Sequence, residues 1–247
     1  MRHTAPRAHA RTRALAAAIA ATLLTPAIAG AQGIVSLESD IQYRHYTEDD
    51  LDVVSGRSSG ELSFGNGFGA QADILLGRLQ DGDRSTDGQF AGLTLHGIYE
   101  LGGGAAAGAF VGRDYSLGPD ATVLGIEGRF ELQGSRIEPW VSRAFVEGGD
   151  MTTLGLSAFS QMASGLGLHA HVIHNMGEDE YSLTDLEFTT SYQFVSGAEV
   201  YGSAGYIIAD DGSESEGEAS LGLGVRVDLG PEGGTRFGSR SLFESIR

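Results

Sequence analysis

Between Val35 and Arg44, apolar and polar residues largely alternate. Val35, Leu37, Ile41 and Tyr43 share one parity, and Ser36, Glu38, Asp40, Gln42 and Arg44 share the other. Side chains alternate sides along an extended chain, so this stretch predicts a strand with one apolar and one charged face. The pattern returns near the end of the chain, where Leu221, Leu223, Val225 and Val227 oppose Ser220, Gly222, Gly224, Arg226 and Asp228. It also appears at Leu124, Ile126, Phe130 and Leu132 against Glu127, Arg129 and Glu131, and at Leu186, Phe188, Tyr192 and Phe194 against Asp185, Glu187, Ser191 and Gln193. Twelve segments carry a strand signal. Three of them, residues 52–65, 105–116 and 136–147, alternate poorly, and Trp140 and Arg143 fit either face.

The connections between these segments take turns. One kind is acidic: 47–52, 80–88, 118–120, 147–150, 177–180 and 210–218 together hold 18 acids and one Arg. The other kind is short and holds no acid: 66–67, 102–104, 133–136, 163–165 and 195–197. Strict exchange between two kinds of connection predicts an up-and-down antiparallel arrangement with two unlike ends. GNGFGA at 65–70 belongs to one short turn and reads as a hairpin rather than a phosphate loop.

Alternation alone does not decide whether the apolar face meets a core or lipid. Segments of roughly 10 to 13 residues are long enough to cross a bilayer when tilted. Aromatic residues gather near segment ends, with Phe64, Phe68, Tyr99, Phe130, Tyr192 and Phe194 by the short turns and Tyr46, Tyr115, Phe145 and Tyr181 by the acidic loops. Two such belts suit two membrane interfaces. The fold expected is therefore all-β: a transmembrane antiparallel up-and-down β-barrel of about 12 strands. Six acidic loops lie outside, with five short turns and both termini on the periplasmic side. Ser220-Leu221-Gly222-Leu223-Gly224-Val225-Arg226-Val227 fits a polar-x-Gly-x-x-apolar-x-apolar signal. With that segment, residues 34–229 resemble the small porin-like outer-membrane β-barrel proteins of Gram-negative bacteria. The resemblance implies a cell outer membrane location, insertion by the barrel assembly machinery, and outer-membrane lipid and lipopolysaccharide as surroundings.

The remaining composition agrees with export. Arg2, Arg7, Arg11 and Arg13 precede an apolar run from Ala14 to Leu24 and small residues at Ala29-Gly30-Ala31, which reads as a signal peptide over 1–31. The barrel then occupies 32–229 and a tail occupies 230–247. Without 1–31 the chain holds 12 of its 16 basic residues and all 33 acids, so its formal charge is 12 − 33 = −21. Such a surface excludes nucleic acid as a partner. There is no Cys, and no stretch of apolar residues is long enough for a membrane-spanning helix.

Function then rests on the inward face. The strand register places Glu38, Asp40, Arg44, Asp73, His96, Glu127, Arg129, Glu131, Asp185, Glu187, Arg226 and Asp228 along the pore. Eight strands give a lumen filled by side chains, and 16 or more leave an open channel. Twelve strands predict a narrow channel for passive diffusion of small hydrophilic solutes, and the acidic excess predicts mild cation preference. A structural or adhesive barrel without an open pore is the second reading, and a barrel hydrolase is the third.

Catalysis and metal binding find weaker support. His169 and His171 share a face, with His174 on the other, but no third ligand or triad accompanies them. Asp81, Asp83 and Asp87 offer oxygen ligands without completing a calcium loop, so hydrated loops are expected. No enzyme activity, cofactor or metal is predicted, and three associated barrels is one arrangement left open. The tail holds Arg236, Arg240 and Arg247 with Phe237, Leu242 and Phe243 but no alternation. As a terminus it is expected to be disordered in the periplasm, the alternative being a fold-back onto lumen carboxylates.

Overall fold

A computed structural model describes residues 33–81, 88–116, 118–162, 164–177, 181–229 and 234–247. Residues 1–31, expected from the sequence to be a signal peptide, and the Asp81, Asp83 and Asp87 side chains lie outside the described residues, as do residues 178–180 of the fifth acidic loop. Twelve strands run in order: β1 (Gly33–Tyr46), β2 (Leu51–Gly65), β3 (Phe68–Asp81), β4 (Gly88–Gly102), β5 (Ala105–Tyr115), β6 (Ala121–Leu132), β7 (Ser135–Val146), β8 (Met151–Gln161), β9 (Leu166–Met176), β10 (Ser182–Val195), β11 (Ala198–Asp210) and β12 (Ser215–Asp228). Each pairs antiparallel with its chain neighbours, and β1 pairs with β12 from Glu38↔Asp228 to Tyr46↔Ser220. The sheet is thus a closed barrel with no free edge, the geometry that satisfies every strand's backbone inside lipid.

Short turns close one end. Asn66-Gly67 and Gln133-Gly134 both sit at positive φ, 53° and 80° in the first and 52° and 85° in the second. Two such residues in succession match the right-handed twist of a hairpin, which is why Gly or Asn recurs there. The third turn is two residues shorter than the sequence suggests, because Ser135 and Arg136 already belong to β7. At the other end the Asp211 carboxylate accepts the backbone N–H groups of Ser213 and Glu214, at 2.9 Å each, and the Ser213 hydroxyl at 2.7 Å. These bonds, from Glu214 first, hold the Asp211 carboxyl down at about 2.

The outer surface is apolar. Ile41 and Leu223 are 67% and 68% exposed, and Ile126, Leu132, Leu186 and Phe188 are exposed with them. A surface of this kind matches the apolar band of a membrane barrel. Phe68 and Tyr99, with ring centroids 4.9 Å apart, stand outward near the short-turn end beside Phe130, Tyr192 and Phe194. Tyr115, Phe145 and Tyr181 stand outward at the acidic end. Tyr46 departs from the expected belt: it shares parity with Gln42 and Arg44 and is buried in the lumen.

Candidate functional site

The inner wall is where burial and charge coincide. Asp40, Arg44, Asp73, His96 and Asp185 are each at most 3% exposed, and Glu38 and Glu127 are nearly as buried. Their burial has one cause that the sequence reading did not favour. Residues 234–247 are not disordered in the periplasm. They enter the barrel at the short-turn end, climb its inner wall and form a 3-10 turn at Leu242–Ser245. The chain then turns back so that Arg247 reaches Asp40.

The tail docks through apolar and ionic anchors together. Phe237 is 1% exposed among Ile98 and Ala106, with its ring stacked 6.3 Å from that of His96. Leu242 packs on the Phe110, Val123 and Ala144 cluster beside Trp140. Phe243 packs on Tyr46, Val53, Leu75 and Phe90, its ring 4.7 Å from Phe90. The lumen expected to be polar therefore holds three apolar patches, and each receives one apolar side chain of the tail. Gly108 makes room for the first, since a Cβ there would stand 2.9 Å from the Phe237 ring.

Each tail arginine meets carboxylates of the wall. Arg236 pairs with Glu61 at 3.0 Å and with Glu100 at 2.6 Å. Arg240 pairs with Glu127 at 2.8 Å and Glu138 at 3.3 Å, with its guanidinium 4.2 Å above the Trp140 ring. Arg247 donates to both Asp40 oxygens, at 2.6 and 2.8 Å. The tail backbone is held by wall side chains as well. Gln71 accepts Phe237 N–H and donates to its carbonyl, Glu61 accepts Arg236 N–H, and Asp114 accepts Leu242 N–H along with the Ser241 hydroxyl.

Glu127 links this dock to the wall behind it. One oxygen takes Arg240, and the other lies 2.6 Å from His96 Nδ1, while His96 Nε2 lies 2.7 Å from Asp73. An imidazole with a carboxylate on each nitrogen donates to both only as the imidazolium. Asp73 also accepts from Gln71 at 2.9 Å, so the group that grips Phe237 is itself oriented by the same network.

The facing wall neutralises itself. Arg44 is paired with Glu187, Arg57 with Glu38 and with Asp40 at 3.2 Å, and Arg226 with Glu199 at 2.8 Å. His171 lies 2.9 Å from Asp185. Asp228 is half-buried near the short-turn mouth, where Arg129 and Glu131 pair at the opposite rim. His169 and His171 have ring centroids 5.9 Å apart, and His174 stands on the outward parity with Thr184. Among the described residues, no group of three or more His, Cys, Asp or Glu is arranged to hold a metal.

Space beside the tail includes a pocket of about 370 Å³ at the short-turn mouth, lined by Glu61, Glu100, Arg129, Glu131 and Arg236. A smaller cavity of about 80 Å³ lies among Arg44, Arg57, Arg226 and Arg247. That volume suits several waters, not a stream of solute.

Sequence reasoning missed Arg57, Glu61, Asp114 and Glu138 at this site. All four fall in the three poorly alternating segments, where no register was assigned. The reason for the weak alternation is now visible: Val53, Ala106, Phe110, Trp140 and Ala144 point inward to meet the tail. Trp140 thus faces the lumen, while Arg143 stands outward at the acidic end with Asp150 at 3.0 Å.

No protein-family model matches the chain, and no curated protein matches it by sequence. Solved structures do match. The NanC porin is 10% identical with a TM-score of 0.60, covering 77% of this chain and 100% of its own. The COG4313 outer membrane channel from Pseudomonas putida F1 is 14% identical with a TM-score of 0.59, covering 81% and 97%. The KdgM porin is 13% identical with a TM-score of 0.54, covering 76% and 98%. At these identities the likeness concerns the fold. With the apolar outer belt, it defines the class: a twelve-strand outer-membrane β-barrel of porin-like architecture.

Proposed function

We propose that this protein is an outer-membrane porin-like channel for passive diffusion of small hydrophilic solutes, with mild cation preference. The observation that carries the reading is the division of the barrel into an apolar outside and a lumen holding nearly all the buried charge. Small solutes cross such a wall only through the middle, and an excess of carboxylates along it favours cations. Glu38, Asp40, Asp73, Glu127, Glu131, Asp185, Glu187 and Asp228 are its acidic pore-lining residues, with Arg44, His96, Arg129 and Arg226 as counter-charges. Lipopolysaccharide and lipid are its surroundings, and the barrel assembly machinery is its route of insertion.

A second reading, a structural or adhesive barrel without an open pore, draws support from the tail in the lumen. The two part in a planar bilayer. Purified protein should migrate on gels in a heat-modifiable way and then give discrete conductance steps, with a reversal potential of cation-preferring sign in a salt gradient. A folded barrel that is silent both with and without residues 230–247 would favour the structural reading.

A further inference from the structure

The twelve strands pair only with each other, so the wall is complete without the tail. Residues 234–247 are instead held by wall side chains, by ion pairs and by three apolar anchors. Their side chains carry three Arg and one Glu, 3 − 1 = +2, against lumen carboxylates from β1, β2, β4, β5, β6 and β7. The segment is joined to β12 at the short-turn end, which leaves one direction in which it can leave.

We propose that residues 234–247 are a displaceable, positively charged plug that closes the lumen when docked and opens it by withdrawing through the short-turn mouth. This rests on the channel reading above and names the regulation of the same site. Docking covers Glu61, Asp114, Glu127 and Glu138, which would otherwise face the water path. Withdrawal exposes them, so opening the channel and making its lumen acidic are one event. A cationic body inside a pore also feels a transmembrane voltage in proportion to its charge. A potential negative on the short-turn side draws the plug out, and the opposite potential seats it.

The test uses the full chain, which has no Cys of its own. A Cβ on residue 92 would stand 3.2 Å from the Ser241 Cβ, within a few tenths of an ångström of the spacing of about 3.5–4.5 Å that a disulfide needs. The Gly92→Cys, Ser241→Cys variant is recorded in a planar bilayer, oxidised and then reduced, at both polarities of about 100 mV. The oxidised protein should be silent. Reduction should restore opening, with open times at least about tenfold longer at the polarity that withdraws the plug. Arg240→Gln with Arg247→Gln in the unlocked chain should open at both polarities, and a chain lacking 234–247 should stay open with no asymmetry. Conductance in the oxidised form equal to the reduced form, or a full chain silent at both polarities while the shortened chain conducts, would overturn the gate and leave the channel reading standing. A shortened chain that folds yet never conducts would sink both.

Discussion

The two sides of the lumen handle charge differently. Around β1, β10, β11 and β12, acids are answered largely by arginines of the wall itself, as in Arg44 with Glu187 and Arg226 with Glu199, with the tail's Arg247 added on Asp40. Across β4 to β7 and the lower part of β2, the answering arginines come largely from the tail, as in Arg236 with Glu61 and Arg240 with Glu127 and Glu138. Asp114 on that side is met by the Ser241 hydroxyl and the Leu242 N–H of the tail. The first side is neutralised mostly by the wall, and the second relies more on the docked tail. A charge removed from the first should therefore cost barrel stability, and one removed from the tail should cost docking.

Four substitutions test that division. Arg44→Met leaves Glu187 buried without its partner and should lower barrel stability by about 3–5 kcal/mol, read from denaturant unfolding in lipid vesicles. Arg240→Gln should leave that unfolding midpoint nearly unchanged, and a drop as large as that of Arg44→Met would erase the distinction. Ile41→Arg, on the outer face of the self-neutralised side, should cost about 2–4 kcal/mol in the same assay while leaving tail docking intact. Phe237→Ala should weaken docking by about 1.5–3 kcal/mol, seen as faster modification of a Cys placed at Ser241 by a water-soluble thiol reagent.

The smallest effect lies outside both sides, in the loop after β11. The folded Asp211 carboxyl sits near 2, below its ordinary value of 3.8, so the turn's contribution is full above the ordinary value and fades as pH falls through about 2. Asp211→Ala should loosen that loop to hydrogen exchange at neutral pH, with no change in the barrel midpoint.

The barrel was legible in the sequence because lipid imposes a period. Most outward positions of β1, β6, β10 and β12 are apolar, and a two-residue repeat survives inspection without any partner being known. The exchange of acidic and neutral connections gave the ends for the same reason, since each end faces one compartment. The plug was not legible because no period governs a segment that fits a cavity one side chain at a time. Its imprint was nonetheless present as the irregularity of 52–65, 105–116 and 136–147, where Val53, Phe110 and Trp140 break the polar face. Tyr46 lies near a strand end as the belt aromatics do, but its parity with Arg44 places it inside.

The most direct measurement is the reversal potential of the barrel across a potassium chloride gradient, with and without residues 234–247. The shortened chain should conduct with a clear cation preference, because Glu61, Glu127 and Glu138 then face the water path without the tail arginines, and the docked full chain should conduct little. Equal conductance and equal selectivity in the two proteins would contradict the account, as would anion preference in the shortened chain.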